Sequence, residues 1–249
     1  MNIKDIYTAL DRRAPFGDAE EWDNVGILIG NGEDEVSRIL IALDATEATL
    51  DAAICMGVDL VVTHHPIIFD PMRSLSSNSL PYRFAAAGIG VLSAHTNLDK
   101  ACGGVNDTLA SLIGLHNVRT APDGMCRIGD LPHQITAKML AEAVSGTLST
   151  AARVNLPAKS VRTVAVCGGG GGDFIAELSP LADAYVTGEI RHHGWLTAGQ
   201  AGLAVIEAGH HATEQPVIHA MLAWLREDVP DIPATILTTD APYITVNKE

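Results

Sequence analysis

Two adjacent histidines close an apolar stretch that has the composition of a buried strand. The stretch is LVVTHHPIIF, residues 60–69, and the imidazoles belong to His64 and His65. Neighbouring side chains on a strand point to opposite faces, so the two imidazoles are poorly placed for one metal ion and well placed for two. Because neutral imidazole is a common ligand of first-row divalent metals, the pair favours a dinuclear metal site.

Two further apolar stretches end in the same way. VLSAHTNLD (91–99) carries Asp99, and VIEAGHHATE (205–214) carries His210 and Glu214. Ligands of open parallel sheets bind beyond the carboxyl ends of the strands, so clusters that are far apart in sequence can converge there. Together with the histidine pair they offer three imidazoles and two carboxylates, which is more than one tetrahedral ion needs.

His95 lies four residues before Asp99, and its role stays open. The spacing is compatible with a metal ligand, with a residue that orients a ligand, or with a substrate contact. Isolated histidines such as His116, His133 and His219 more often donate a hydrogen bond to a carbonyl oxygen, so we assign them no function.

The glycine run CGGGGGD (167–173) follows a predicted strand and precedes the helical segment DFIAEL. Backbone amides in this position, here those of Gly169 and Gly170, can bind the phosphate of a substrate. However, the GKS or GKT of a P-loop is absent, and the dinucleotide pattern GxGxxG would need glycine where Asp173 stands. A tight turn between strand and helix explains the run equally well.

The segment TGEIRHHGW (187–195) also follows a predicted strand. Arg191 could bind a substrate, and Glu189, His192 or His193 could transfer protons across a cleft from the metals. The other interpretation is the charged start of a surface helix.

The segment EEWDNVG (20–26) precedes a predicted strand and contains Trp22 and Asn24. These two side chains could line a substrate pocket, because binding residues are often found on loops that a rigid scaffold positions. An ordinary polar loop is the alternative.

Runs rich in Val and Ile alternate with segments of helical period, which is typical of an α/β fold with largely parallel strands. Helices are predicted after Thr46 and after Thr136, each stopped by a glycine, and a long helix is predicted after Thr213. The turn-rich stretch 117–132 predicts a boundary between a first unit, residues 1–120, and a middle unit that begins at 121. The predicted strands are 25–30, 39–44, 60–64, 90–95, 161–167, 184–189, 203–209, 234–240 and 243–246.

Composition narrows the classes of function. Thirty acidic against sixteen basic residues give a formal charge of -14, which disfavours nucleic-acid binding and favours retention of divalent cations. No apolar run approaches the roughly 18 residues of a membrane span, and no apolar leader opens the chain. Four scattered cysteines without a CxxC pair indicate reduced thiols, so we expect a soluble, cytoplasmic protein.

Taken in order, these motifs resemble those of the Nif-three-like or YbgI-like family of dinuclear metal proteins, which is labelled GTP cyclohydrolase 1 type 2 homologue. The resemblance covers nearly the whole chain in its short form, without the central insertion of some relatives. The motifs that carry it are EEWDNVGILIG, THHP, SAHTNLDKACGGVND, VAVCGGGGGD, AYVTGEIRHH and EAGHHATE.

The resemblance implies that two divalent metal ions are bound by His64, His65, Asp99, His210 and Glu214. It implies two α/β units with mostly parallel sheets flanked by helices, and a metal site in the cleft between them at the carboxyl ends of strands. The first unit, 1–120, would be completed by 215–249, and the middle unit would be 121–214. A ring-shaped homohexamer built from dimers is also implied.

We therefore expect a dinuclear-metal-dependent hydrolase that acts on a nucleotide or a related small molecule. Water held by the metals would lose a proton near neutral pH and attack an electrophilic carbon or phosphorus. His95, His192 or His193 would carry the proton, and Glu189 is a further candidate. The family label implies GTP ring opening at C8 of guanine as one such reaction. Zinc, iron, manganese and nickel all suit this donor set. A noncatalytic metal-binding or regulatory scaffold is the alternative function.

Overall fold

The computed structural model describes residues 1–244, which form two α/β units. The first unit comprises residues 1–104 and 217–239, and the second comprises 105–216 and the described residues from 240 onward. Each unit is built on one β-sheet flanked by helices, so the predicted α/β class is confirmed. None of the helices within residues 1–244 has the length and apolar character needed to cross a bilayer.

Strands and helices alternate along most of the chain. The strands are β1 (Gly26–Ile29), β2 (Ile39–Ala42), β3 (Leu60–Thr63), β4 (Gly90–Ser93), β5 (His116–Thr120), β6 (Arg127–Thr136), β7 (Arg153–Val154), β8 (Ser160–Cys167), β9 (Ala184–Thr187), β10 (Ala204–Glu207) and β11 (Ala234–Ile236). The helices are α1 (Ile3–Arg13), α2 (Glu47–Met56), α3 (Leu80–Ala86), α4 (Thr96–Lys100), α5 (Val105–Leu112), α6 (Ala137–Leu148), α7 (Ile175–Leu178), α8 (His192–Ala201), α9 (His210–Glu214) and α10 (Val217–Asp228). The strand predicted at 243–246 lies partly outside the described residues.

The sheet of the first unit has the order β1-β4-β3-β2-β11. Its pairings are parallel except that of β1 with β4. Every residue of β2, β3 and β4 is buried, as expected of apolar strands covered on both faces. In the parallel pair β3 and β4, Thr63 lies opposite Ser93. The segments after these two residues therefore leave the sheet side by side at one edge.

The sheet of the second unit has the order β5-β6-β8-β9-β10-β7 and is mixed. Strands β8, β9 and β10 are parallel, whereas β5, β6 and β7 pair antiparallel to their neighbours. Cys167 lies opposite Thr187, and Thr187 lies opposite Glu207, so the segments after these three strands also leave at one edge.

The turn-rich stretch 117–132 is not a linker. It contains most of β5 and the start of β6, which form an antiparallel pair, and its turn residues connect them. Turn chemistry predicts a change of direction equally for a hairpin and for a linker, and only the pairing of the strands distinguishes the two. Residues 105–120 group with the second unit.

The helix starts predicted after Thr46 and Thr136 are confirmed, and one of the two predicted ends differs. Thr46 and Thr136 cap α2 and α6 through their side-chain oxygens. Gly57 stops α2 as predicted and has the left-handed conformation, but α6 continues through Gly146 to Leu148 and is capped by Ser149. Thr213 lies within α9, and the long helix predicted after it is α10, which begins at Val217 directly after Pro216, a residue with no backbone N–H to donate.

Tyr185 in β9 is fully buried, and its hydroxyl donates a hydrogen bond of 2.7 Å to the carbonyl oxygen of Gly171. Burial raises the pKa of this phenol well above its usual value. The contact ties the glycine run to the interior of the second unit.

We expect Tyr185→Phe to lower the free energy of unfolding by about 1–3 kcal/mol, because a buried carbonyl oxygen loses its donor. Denaturant unfolding followed by circular dichroism measures the effect. Tyr82→Phe is the matched control, since Tyr82 is exposed. An equal change in both variants would contradict this role of the hydroxyl.

Candidate metal-binding residues

Three histidines of the first unit lie together at the edge of the sheet. His64 and His65 follow β3, and His95 follows β4. One nitrogen from each ring lies within 4.8 Å of the other two. The ring centroids are 4.8 Å apart for His64 and His65, 5.1 Å for His64 and His95, and 5.6 Å for His65 and His95. The parallel pairing of β3 and β4 thus gathers the histidines of two separate motifs.

Each of these histidines is oriented through its Nδ1 atom. The acceptors are the carbonyl oxygen of Ala94 for His64, at 3.0 Å, and the carboxylate of Asp44 for His65, at 2.7 Å. Nδ1 must carry the proton, because neither acceptor can donate one. Nε2 is then the nitrogen that would bind a metal, and this carbonyl or carboxylate partner is typical of metal-ligating histidines.

His95 is oriented in the same way by Asp23, whose Oδ1 lies 2.9 Å from Nδ1. The other oxygen of Asp23 accepts hydrogen bonds from the backbone N–H and the hydroxyl of Thr96. Burial alone would raise the pKa of Asp23, but the hydrogen bonds from His95 and Thr96 outweigh burial and hold the pKa well below its usual range. The carboxylate is therefore ionised beside His95 at neutral pH.

Asp23 and Asp44 were not predicted as site residues. Asp44 follows β2 by two positions, which is the same location relative to a strand as the histidines after β3. That signal was available in the sequence. Asp23 precedes a strand, and no comparable signal marks it.

Asp99 supplies a carboxylate to the same cluster. It lies in the first turn of α4, which begins directly after His95, and its Oδ1 is 3.7 Å from Nε2 of His64. His64 is fully buried. Three imidazoles and one carboxylate match the donors that zinc, iron, manganese and nickel bind, so the residues of the first unit fit a first-row divalent metal.

The second unit brings together His210 and Glu214. They lie four positions apart on α9, with Nε2 of His210 3.0 Å from Oε2 of Glu214. Glu214 is buried, and the carboxylate of Glu189 lies 3.5 Å from Nδ1 of His210. One imidazole and one buried carboxylate on one helix face make a second set of donors that could bind a metal ion.

The glycine run packs against this pair. A methyl group at Gly169 would overlap the carboxylate of Glu214 and would lie 3.1 Å from Nε2 of His210. The backbone N–H of Gly169 donates to the hydroxyl of Thr213, and its carbonyl accepts from the N–H of Glu189. Gly169 has a φ of +60°, which also favours glycine. The run therefore holds α9 and the Glu189 segment close together.

A cavity of about 530 Å³ lies within the second unit. It is lined by Gly170 and by three residues predicted from the TGEIRHH segment: Glu189, Arg191 and His193. His192 begins α8 and is exposed. Glu189 is the residue that both lines the cavity and lies near His210.

Trp22 and Asn24 belong to the first unit. The ring of Trp22 lies edge-on to His95, with centroids 6.3 Å apart. Asn24 donates a hydrogen bond of 2.5 Å to the carbonyl oxygen of Ile68. The structure thus places Trp22 beside the histidine cluster and gives Asn24 a contact within the protein.

The sequence model of one protein family, described as Duf34/NIF3 (NGG1p interacting factor 3), matches residues 1–242. The chain belongs to this family. The resemblance found in the sequence motifs is confirmed.

Individual proteins are also similar to this chain over most of its length. A protein of Streptomyces coelicolor named GTP cyclohydrolase 1 type 2 homolog is 36% identical over 233 residues, which cover 86% of this chain and 82% of that protein. The crystal structure of Staphylococcus aureus protein SA1388 has a TM-score of 0.91 at 25% identity and covers 99% of both chains. The structure of protein ybgI, described as of unknown function, has a TM-score of 0.89 at 26% identity, with 98% of this chain and 100% of that chain covered.

Gly169→Ala is expected to weaken binding of a divalent cation by about 10- to 100-fold, because the added methyl group displaces Glu214 and His210. Titration of metal-free protein against a competing chelator measures the affinity. Gly170→Ala is the matched control, since nothing lies within 4 Å of its added methyl group and its φ is -83°. Equal affinities in the two variants would show that the glycine run does not position the ligands.

Proposed function

We propose that the protein is a metal-dependent hydrolase of a nucleotide or a related small molecule, with two divalent cations bound by His64, His65, Asp99, His210 and Glu214. The observation that carries the proposal is the histidine cluster of the first unit, in which every ring has its Nδ1 held by a carbonyl or carboxylate oxygen. An acceptor at Nδ1 leaves Nε2 as the nitrogen that can bind a metal, and three histidines arranged in this way at one edge of a sheet are typical of a metal site. The name shared by several relatives makes GTP ring opening at C8 of guanine the first reaction to test.

The number of donors supports two ions. The assigned ligands of the first unit are two imidazoles and a carboxylate, and those of the second unit are an imidazole and a buried carboxylate, which makes five donors. One tetrahedral ion needs only four ligands. Bound divalent cations would supply Lewis acidity, which polarises a substrate oxygen and lowers the pKa of water.

His95 is the proton carrier that the geometry of the first unit favours. The ionised carboxylate of Asp23 accepts a hydrogen bond from Nδ1 of His95, which fixes the orientation of the ring and leaves Nε2 facing away from Asp23. Nε2 of the same ring can then accept a proton from water or donate one to a leaving group. In the second unit, Glu189, His192 and His193 are further candidates for proton transfer.

Substrate binding is proposed for Gly169, Gly170, Arg191, Trp22 and Asn24. Arg191 and Gly170 both line the cavity of the second unit, where a guanidinium and backbone amides can bind phosphate oxygens. Asp173 lines it as well, and its carboxylate would accept N–H donors of a substrate.

Replacing His64 or Glu214 with alanine tests the function and the metal site together. Each variant is expected to lose at least about 100-fold in metal affinity and to lose hydrolysis of GTP, because each removes a ligand. Elemental analysis of purified protein and a chromatographic assay of GTP consumption are the measurements. His133→Ala is the control, since His133 is an exposed residue of β6. Unchanged metal content in His64→Ala and Glu214→Ala would refute the assigned ligands.

A noncatalytic metal-binding or regulatory scaffold is the second candidate. The description of the family as an interacting factor favours it, and the same donors would serve it. The two candidates differ in what the metal-loaded protein does with nucleotides. Metal binding without turnover of any nucleotide tested would support the scaffold and refute the hydrolase.

We further propose that the protein acts as a ring-shaped homohexamer assembled from dimers, as the family resemblance implies. Light scattering coupled to size-exclusion chromatography should give a mass of six 26.2 kDa chains. A monomer at micromolar concentration would contradict the assembly. The formal charge of -14 makes nucleic acid an unfavourable partner.

A further inference from the structure

Two large aromatic side chains of the first unit are exposed beside the histidine cluster. Trp22 is 61% exposed and Phe69 is 49% exposed. Their ring centroids are 5.9 Å apart with an interplanar angle of 52°. Their centroids lie 6.3 Å and 6.2 Å from that of His95, and both rings are nearly perpendicular to it. We call Trp22 and Phe69 the aromatic rim.

The backbone that carries the aromatic rim is held in place although the rings are exposed. Asp23, which follows Trp22, is bonded to His95 and Thr96. Ile68, which precedes Phe69, accepts a hydrogen bond from Asn24. The two loops are therefore joined to each other and to the histidine cluster. Because their backbone is already ordered, binding of a ligand would cost little conformational entropy in these loops.

The chemistry of the aromatic rim selects a planar partner. Two rings at an angle offer π faces that stack on another aromatic ring, and such stacking accepts any base because every base has a π face. A phosphate gains nothing comparable from indole and phenyl groups, and a ribose offers C–H contacts but no π face of its own. A ring stacked here would also have its edge near His95, the proposed proton carrier.

We infer that Trp22 and Phe69 form a stacking site for the planar heteroaromatic ring of the substrate and hold that ring beside His95. The inference rests on the proposed function and deepens it, since it assigns the base of a nucleotide to the first unit. Phe69 then becomes a residue that determines specificity for heteroaromatic over aliphatic substrates.

The test compares variants that remove a ring with variants that keep one. Trp22→Leu and Phe69→Leu remove a ring, whereas Trp22→Phe and Phe69→Tyr keep one. Isothermal titration calorimetry measures binding to the metal-loaded full-length protein in the assembly that it forms. The three probes are GTP, guanosine and inorganic tripolyphosphate. Metal content and thermal unfolding are measured for each variant.

We expect the leucine variants to bind GTP and guanosine about 5- to 100-fold more weakly, the range that corresponds to loss of one stacked base. The ring-keeping variants should stay within about threefold of the parent. Tripolyphosphate affinity and metal content should not change in any variant. Leucine variants that bind GTP as the parent does, or that lose GTP and tripolyphosphate equally, would overturn the stacking site.

A second measurement needs no variant and covers the case in which a leucine variant does not fold. Saturation of the aromatic protons of the parent protein should transfer to H8 of bound guanosine more strongly than to the ribose protons. Equal transfer to base and ribose, or no binding of guanosine and GTP by the parent, would also overturn the inference.

The outcomes separate this inference from the proposed function. Loss of base binding in the leucine variants without any hydrolysis by the parent would leave the stacking site and remove the hydrolase. Hydrolysis by a parent whose leucine variants bind GTP normally would leave the hydrolase and remove the stacking site.

Discussion

The in-register parallel pairing of β3 with β4 places Thr63 opposite Ser93, and the arrangement of the first unit's candidate ligands depends on it. With that register, His64 lies beside the Ala94 carbonyl that orients it and within ring contact of His95. A shift of one residue in either strand would turn the histidines toward the opposite face of the sheet. The hydroxyls of Thr63 and Ser93 are buried and hydrogen-bonded to each other, which helps to hold the two strand ends together.

In the second unit, glycines allow the segments after the parallel strands to lie close together. Its three parallel strands end in register, and the segments that follow must pass one another closely. A methyl group at Gly188 would lie 2.5 Å from the carbonyl oxygen of Gly169 and 2.8 Å from Cα of His210, so the backbones meet at distances that only glycine permits. Gly169 of the glycine run is constrained in the same way, because a methyl group there would overlap the carboxylate of Glu214.

Electrostatics in the first unit is organised in two layers. The imidazoles lie at the edge of the sheet, and carboxylates or carbonyls behind them accept their Nδ1 protons. The depressed pKa of Asp23 shows how strongly its hydrogen bonds favour the charged form despite burial. A carboxylate partner of this kind fixes the orientation and the tautomer of the ring that it holds, which suits both a metal ligand and a proton carrier.

The sequence by itself determined the α/β class, the starts of α2 and α6, the buried strands and the candidate ligands, because each depends on local pattern. Histidine after an apolar strand is visible as a motif, and so is a threonine cap before a helix. Only the tertiary structure decided which strands are neighbours, that residues 117–132 form a hairpin, and that Asp23 and Asp44 orient His95 and His65. The strand neighbours and the two carboxylate partners depend on contacts between segments distant in sequence, and the free energy that selects those contacts comes from packing that no local window contains. The hairpin is local, but its turn residues alone do not distinguish it from a linker. The exposed ring of Phe69 illustrates the same limit, since the sequence shows an apolar residue and only the fold shows what it lies beside.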